Sequence, residues 1–271
     1  MQDSSRPLGI STISSALPDA VNYHAWLLDL ISPKIGREML EIGPGYGQYT
    51  GFFFNRTGRL AVADIAQDCI EHLQRKFPDV EAVMADLEAP DWTSQVTRQG
   101  LFDTIVALNV LEHIQDDQAA LRNIWSALRP EARLLLLVPA HQALYGQMDR
   151  LAGHWRRYSR RNLRNLLQCA GFSVDTCVHI NPVGGLGWLA NTLLYRPKSL
   201  SAATVNTQIL FFDKWLLPVS RFLSPLTAIF FGQSLWCIAT KNAQNSKTGN
   251  TQQERTVQDF GDQWSAYREN N

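Results

Sequence analysis

Residues 39 to 50 read MLEIGPGYGQYT, and this stretch is the most informative part of the sequence. A short apolar strand leads into Gly43, Gly45 and Gly47, and a helical pattern follows them. In a doubly wound α/β sheet the first strand ends under the ligand, and glycine lets the backbone approach that ligand where a Cβ atom would collide. The stretch therefore predicts a cofactor loop of the nucleotide-binding kind. Its spacing is not G-x-G-x-x-G, and it lacks the Lys-Ser/Thr ending of a phosphate loop.

Acidic residues stand at the ends of the next two predicted strands. The strand at 59 to 65 closes with Asp64, and the strand at 80 to 86 ends in Asp86, which Leu87 follows. A carboxylate one βαβ step after the glycine loop can accept hydrogen bonds from both hydroxyls of a ribose. The alternative for Asp64 is a solvated loop aspartate.

The next predicted strands are long apolar runs. The stretch from 102 to 114 opens with Asp103 and then runs apolar until Asn109, which is typical of a parallel strand buried on both faces. A fifth strand is predicted at 132 to 140, a sixth at 172 to 180 and a seventh at 234 to 241. Helical patterns separate the early strands, with Asp116 and Ser159 as the predicted N-caps of two helices.

From about residue 36 to residue 180, this order of features resembles the class I S-adenosylmethionine (SAM) methyltransferases. The resemblance implies an α/β, Rossmann-like, doubly wound sheet of seven mixed strands with helices on both faces. It also implies SAM as cofactor and S-adenosylhomocysteine as product, with Asp86 accepting from the adenine amino group and an apolar neighbour against the ring. The residues that we assign to the cofactor are Glu41, Gly43, Gly45, Gly47, Asp64, Ile65, Asp86, Leu87, Asn109 and His113.

One departure from the family pattern follows the helix before the fifth strand. Where the family usually has a Gly-Gly turn after proline, this sequence has Glu131 and Ala132. The departure puts the turn geometry in doubt.

Composition excludes several classes of protein. The chain has 271 residues, 45% of them hydrophobic, and a formal net charge of zero, which gives no global basic field for nucleic acid. The four cysteines form no C-x-x-C and no metal-ligand spacing, so we expect no metal. The first ten residues, MQDSSRPLGI, lack a basic region followed by an apolar run, so we expect no secretory signal there. We expect a cytoplasmic biosynthetic enzyme whose methyltransferase domain spans residues 1 to 241.

The segment 139 to 164 leaves the sheet edge where ligands bind in open α/β folds, so we expect it to face the acceptor. It carries six arginines from Arg150 onward and no acid in that part. They form either a solvated face with ion pairs or a site for an anionic group such as a phosphate. We assign Arg156, Arg157 and Tyr158 to substrate binding.

A helix before the first strand is predicted to cover the cofactor cleft, and it would bring Tyr23 to the substrate. A purely structural helix is the alternative.

Methyl transfer from a sulfonium is an in-line displacement, and a base is needed only when the acceptor carries a proton. The candidate catalytic residues are His154, His113, His141 and Tyr145. His154 is preferred as base because GHWRRY holds it among aromatic and cationic neighbours, with Asp149 among the possible orienting groups. In similar enzymes the position of His113 lies near the methyl donor, although a helix-entry histidine packed by Glu112 is the alternative.

An apolar helical insertion is predicted at 182 to 232, before the last strand. Aromatic and aliphatic residues recur there at helical spacing from Phe211 to Val219, with Asp213 and Lys214 on the other side. This pattern suits a lid, a helix lying in a membrane interface, or ordinary core packing. Peripheral contact with the inner face of the membrane is therefore one expectation.

The end of the chain changes character. Residues 242 to 258 have the composition of a flexible linker. Residues 259 to 271, DFGDQWSAYRENN, are aromatic again, and they represent either the start of a further domain after residue 271 or a docked terminal helix.

The function predicted from the sequence is SAM-dependent transfer of a methyl group to a hydroxyl of a sugar or a lipid-linked glycan. An N- or O-methyltransferase of a small natural product is an alternative. A non-catalytic SAM-binding partner of a second domain is another.

Overall fold

The computed structural model describes residues 20–194, 207 and 209–242, and its centre is one seven-stranded sheet. The strands are β1 (Glu38–Ile42), β2 (Arg59–Asp64), β3 (Glu81–Met84), β4 (Phe102–Leu108), β5 (Leu128–Pro139), β6 (Phe172–Ile180) and β7 (Ser234–Lys241). They lie in the order β3-β2-β1-β4-β5-β7-β6, with β7 antiparallel to both neighbours and the other pairs parallel. The predicted doubly wound mixed sheet is confirmed.

Helices cover both faces of the sheet. They are α1 (Val21–Ile31), α2 (Thr50–Phe54), α3 (Gln67–Lys76), α4 (Trp92–Val96), α5 (Asp117–Ala127), α6 (Gln147–Ala152), α7 (Arg160–Cys169), α8 (Pro182–Leu194) and α9 (Leu217–Thr227). The predicted caps hold, since Asp116 Oδ1 accepts from the N–H of Ala119 at 2.9 Å and Ser159 Oγ accepts from the N–H of Asn162 at 3.1 Å.

Two separate hydrophobic cores lie on the two faces of the sheet, and the strands contribute apolar side chains to both. On β1, Leu40 packs into one core and its neighbour Met39 into the other. Ile105 and Val106 on β4 divide between the cores in the same way, and both are fully buried. Alternation of side chains across a strand explains why the sequence of these strands is a continuous apolar run.

Two strand boundaries differ from the sequence prediction. β3 ends at Met84, before Asp86, because it pairs only with β2, which ends at Asp64 opposite Met84. β5 begins at Leu128, before the predicted start at residue 132, with an irregular register against the beginning of β4.

The family's glycine turn falls inside this irregular stretch. Glu131 has a φ of +63°, a left-handed conformation that glycine adopts without strain. The departure from the family pattern therefore leaves a strained backbone at the start of β5.

Between β6 and β7 the chain forms α8, a π-helical turn at Phe212–Leu216, and α9. No helix in the described part of the chain combines the length and hydropathy that crossing a bilayer requires. The predicted tail lies outside the described residues, as does the predicted linker after residue 242, so the domain boundaries remain predictions.

Candidate functional site

The carboxyl ends of the adjacent strands β2, β1 and β4 form the site. The glycine loop follows β1, and its Gly43 N–H donates to the carbonyl of Ala63 on β2 at 2.8 Å. Asn109 follows β4 with a φ of +54°, and its N–H donates to Leu137 on β5 at 2.9 Å. Several predicted cofactor residues therefore share one edge, as parallel strand order requires.

Two of the glycines are needed for different reasons. Gly43 has a φ of +66°, and a Cβ atom there would lie 2.5 Å from Val110 Cγ2. Gly45 has a φ of +54°, and nothing lies within 4 Å of the position that its Cβ would occupy. Gly43 is thus required by the protein's own packing, whereas Gly45 borders open space that a ligand can fill.

Asp64 is tied to the glycine loop. Its Oδ2 accepts from the N–H of Gly45 at 3.1 Å, and its Oδ1 accepts from the N–H of Ala66 at 2.9 Å. These bonds fix the carboxylate beside the open position at Gly45. Ile65, the next residue, is 69% exposed, so an apolar side chain lies next to the carboxylate and faces solvent.

Glu41 lies beneath the loop. Its carboxylate is buried and accepts from the Thr50 hydroxyl at 2.7 Å. Burial raises the pKa of Glu41 to about 7, against the opposing effect of the Thr50 hydrogen bond and with a small addition from Asp64. The contact joins the end of β1 to the start of α2, so it holds the glycine loop from below.

The two residues predicted to contact adenine have different environments. Asp86 is exposed, and its Oδ1 accepts from the N–H of Glu88 at 3.0 Å. Leu87 is buried and packs in the core below the sheet edge. The exposed apolar side chain nearest in sequence is Met84, which pairs with Asp64 in the register of β2 and β3. The sequence analysis did not identify Met84, because the sequence of a short edge strand does not indicate where the strand ends.

A second group of polar side chains lies after β4, and we call it the Glu112 cluster: Glu112, His113 and His154. A 3₁₀ turn at Leu111–His113 supplies the first two, and His154 follows α6. The imidazole rings of His113 and His154 meet edge to face with centroids 4.8 Å apart. The fold thus brings together His154, which the sequence analysis preferred as base, and His113, a second catalytic candidate.

The carboxylate of Asp149 contacts this cluster through His154. Its Oδ1 lies 3.0 Å from Nδ1 of His154 and accepts from Nε of Arg157 at 2.7 Å, and its Oδ2 accepts from the N–H of Gly146. Burial acts to raise the pKa of Asp149, but the bonds from His154, Arg157 and Gly146 together lower it below its ordinary value. Asp149 is therefore an anion that orients the imidazole of His154.

The two other members of the cluster are kept neutral. Burial raises the pKa of Glu112 to about 8, and the charge of Arg157 only partly offsets this effect. Burial, together with the neighbouring His154, lowers the pKa of His113 to about 4. Perturbed groups that converge in this way are typical of functional sites.

Of the other two predicted catalytic residues, Tyr145 lies beside this cluster and His141 lies apart from it. Tyr145 donates its hydroxyl to the carbonyl of His154 at 2.8 Å. The ring of His141 stacks on the rings of His179 and Phe231, with centroid distances of 4.8 and 5.3 Å. The backbone of His141 has a φ of +63°. His141 thus packs against the segment that precedes β7.

The predicted substrate residues have partners within the protein. Arg156 pairs with Asp117 at 2.7 Å, and Arg157 is buried against Asp149. The buried Tyr158 hydroxyl lies 3.1 Å from both the Leu111 carbonyl and an oxygen of Asp117. Because their charges and donors are engaged, we do not include these three residues in the proposed acceptor site.

Tyr23 lies at the start of α1, and burial raises its pKa to about 12. Its backbone N–H donates to Oδ1 of Asp213, which lies in the π-helical turn, at 2.8 Å. The next residue, His24, places Nδ1 2.6 Å from the hydroxyl of Tyr49, the residue that precedes α2. Helix α1 therefore joins the turn before α9 to the segment after the glycine loop.

Comparisons with known proteins agree with this geometry. The family model described as "Methyltransferase domain" matches residues 19–176. A protein of Mycolicibacterium smegmatis named "Probable S-adenosylmethionine-dependent methyltransferase" is 25% identical over 159 residues, which are 57% of this chain and 59% of that protein. An uncharacterised 37.1 kDa protein in a Streptomyces fradiae transposon is 26% identical over 197 residues, 62% of this chain and 56% of that protein. The chain thus spans less than two thirds of the length of these relatives.

A solved structure shares the fold. The N-methyltransferase NodS from Bradyrhizobium japonicum, in complex with S-adenosylhomocysteine, superposes with a TM-score of 0.53 at 17% identity, over 86% of this chain and 98% of that one. At this identity the likeness shows the fold, which is the one that the glycine loop and strand order predicted. With a family model matching more than half of its length, the chain belongs to the family of SAM-dependent methyltransferase domains.

Proposed function

We propose that this domain transfers the methyl group of SAM to a hydroxyl of a lipid-linked glycan at a membrane surface. The observation that carries the proposal is a band of exposed apolar side chains between β6 and β7. We call it the apolar face, and it consists of Phe211, Trp215, Val219, Phe222, Leu226, Ile229 and Phe230.

The apolar face is a continuous helical stripe. From Phe211 to Leu226 its members recur every three or four residues, and Ile229 and Phe230 follow the end of α9. Each is more than half exposed, up to 76% for Phe222. Soluble monomers rarely expose a large contiguous apolar patch unless something binds it. The stripe therefore favours contact with an apolar partner over ordinary core packing.

The charges around the stripe favour a lipid surface as that partner. Between residues 209 and 233 the charged residues are Asp213, Lys214 and Arg221. Asp213 is buried, whereas Lys214 is exposed and Arg221 is exposed and paired with Asp29 of α1. An apolar stripe with aromatic residues and cations is typical of a helix that lies in the interface of an anionic bilayer.

The apolar face is connected to the cofactor loop. Asp213 lies between Phe212 and Lys214, and its carboxylate accepts from the N–H groups of Asn22 and Tyr23 at 3.0 and 2.8 Å. The same helix, α1, reaches Tyr49 through His24. A glycan whose lipid anchor lies in the bilayer would thus approach the protein from the side of the structure that is joined to the SAM loop.

Methyl transfer to a hydroxyl needs alignment with the donor and a place for the proton. The Glu112 cluster follows β4 directly, and Val110 in the same loop contacts the glycine loop at Gly43. We therefore place the acceptor hydroxyl at the Glu112 cluster, between the SAM loop and His154.

Vesicle flotation tests the membrane part of the proposal. The protein should float with vesicles that contain phosphatidylglycerol and less with neutral vesicles. The double variant Phe222→Ser/Ile229→Ser should bind at least roughly tenfold more weakly, because each buried apolar side chain contributes about 1.5–3 kcal/mol. Phe54→Ser on α2 is the matched control and should float as the wild type does. Equal flotation of all three proteins would contradict the proposal.

Product partition tests the acceptor. The protein is incubated with methyl-labelled SAM and a membrane extract of its host, and the products are divided between butanol and water. Label in butanol, located on a sugar hydroxyl by mass spectrometry, supports a lipid-linked glycan. Label in water alone would contradict the lipid anchor and favour a free sugar or a small natural product.

A further inference from the structure

The Glu112 cluster has the composition of a metal site. Glu112, His113 and His154 each offer one ligand atom, and these atoms lie within 4.8 Å of one another. Two imidazoles and one carboxylate form the ligand set of many catalytic zinc and non-haem iron sites. The cysteine spacing that led us to expect no metal has no bearing on such a set.

Both imidazole rings are oriented through Nδ1. Nδ1 of His113 lies 3.2 Å from the carbonyl of Gly153, and Nδ1 of His154 lies 3.0 Å from Oδ1 of Asp149. Metal-ligating histidines almost always donate their second ring N–H to a carbonyl or carboxylate, which fixes the tautomer with the other nitrogen free to ligate. The two Nε2 atoms are therefore the ligand atoms of this cluster.

The third member of the cluster, Glu112, has side-chain oxygens that could bind a cation. Its side chain is fully buried, and neither carboxylate oxygen has a hydrogen-bond partner among the described residues. A buried polar group without a partner costs free energy. A cation bound between Glu112 and the two imidazoles would displace the proton of the carboxyl group and satisfy its oxygens.

We propose that Glu112, His113 and His154 bind one divalent first-row transition-metal ion through the Glu112 carboxylate and the two Nε2 atoms. Nitrogen ligands favour such an ion over Mg²⁺ or Ca²⁺, which prefer oxygen. Metal bonds of about 2.0–2.2 Å require the ligand atoms to close by roughly 1 Å. His154 retains some exposure, at 13% of its side chain, so the ion can enter from that side.

The use of the ion rests on the proposed function, although its binding does not. Three protein ligands leave coordination positions open, and an acceptor hydroxyl bound there would lose its proton to solvent more readily. The oxygen then forms a bond to the methyl carbon, and the sulfur–carbon bond breaks with its electron pair staying on sulfur. In this arrangement His154 activates the hydroxyl through the ion and is not itself the base.

Calorimetric titration of the chelator-treated protein with ZnCl₂ tests the site. The wild type should bind one equivalent. Glu112→Gln and His154→Ala should each weaken binding by at least roughly tenfold, because each removes a ligand. His72→Ala on α3 is the matched control and should bind as the wild type does. Thermal midpoints of the metal-free proteins show that each variant is folded, and Glu112→Gln keeps the shape of the side chain.

Failure of the wild type to bind one equivalent, or equal binding by all four proteins, would overturn the inference. The methyl-transfer assay separates this result from the proposed function. Stoichiometric binding without transfer supports the ion site and contradicts the proposed function. Full transfer by chelator-treated protein that binds no zinc supports the proposed function and contradicts the ion site.

Discussion

At the scale of single residues, the glycine loop combines groups with separate tasks. Gly43 makes room for Val110, Gly45 leaves open space, and Glu41 holds the loop to Thr50 from below. The sequence places all three in one motif and does not distinguish them. Their tasks can be separated by substitutions that act on stability in one case and on ligand binding in the other.

Alanine substitution should mainly affect the free energy of unfolding at Gly43 and mainly affect ligand binding at Gly45. Gly43→Ala should lower the free energy of unfolding by about 2–4 kcal/mol, because a left-handed alanine is strained and its Cβ overlaps Val110. Gly45→Ala should cost only about 1 kcal/mol but should weaken binding of S-adenosylhomocysteine at least roughly tenfold. Urea unfolding and calorimetry measure the two quantities. A Gly45→Ala variant with wild-type affinity would show that the ligand does not approach this position.

Glu41 should make the cofactor-free protein less stable as the pH rises. Its folded pKa of about 7 exceeds the ordinary 4.5, so the unfolded chain releases the proton first and stability falls through this window. Glu41→Gln lacks this loss, so its stability relative to wild type should improve by about 2 kcal/mol between pH 5 and pH 8. Urea unfolding at both pH values measures the difference. Parallel pH profiles would contradict a buried, raised Glu41.

At the scale of elements, the π-helical turn and α1 form one unit. Asp213 accepts hydrogen bonds from the two backbone N–H groups that begin α1, although more than 180 residues separate the partners. A carboxylate at a helix N-terminus satisfies otherwise unpaired N–H groups and opposes the positive end of the helix dipole. The segment between β6 and β7 thus stabilises the helix whose His24 contacts Tyr49, after the glycine loop.

Asp213→Ala should lower the free energy of unfolding by about 1–2 kcal/mol, the usual cost of losing a cap. The matched control is Asp29→Ala, which removes an exposed ion pair between α1 and Arg221 on α9. Exposed pairs contribute about 0–1 kcal/mol, so this control should change little. Urea unfolding measures both. A larger loss for Asp29→Ala would contradict the capping role of Asp213.

At the scale of the whole molecule, the sequence predicts what is local. The glycine loop, Asp64 and the positions of the strands along the chain follow from patterns within a few residues. The doubly wound sheet is implied by the family resemblance, and the structure confirms it. The meeting of His113 with His154, and of Asp213 with α1, joins segments far apart in the chain, so no local spacing indicates either contact. Arg156 and Arg157 in segment 139 to 164 suggest free cations for the same reason, because their partners Asp117 and Asp149 are brought to them by the fold.

The most direct test compares methyl transfer by the wild type and by Phe222→Ser/Ile229→Ser. Methyl-labelled SAM is supplied with host membranes, and label in the butanol phase is measured over time, with calorimetry confirming that both proteins bind S-adenosylhomocysteine equally. The variant should transfer at least roughly tenfold more slowly, because its cofactor loop is intact and its hold on the membrane is weakened. Equal transfer rates would contradict a membrane-bound acceptor that reaches the SAM site across the apolar face.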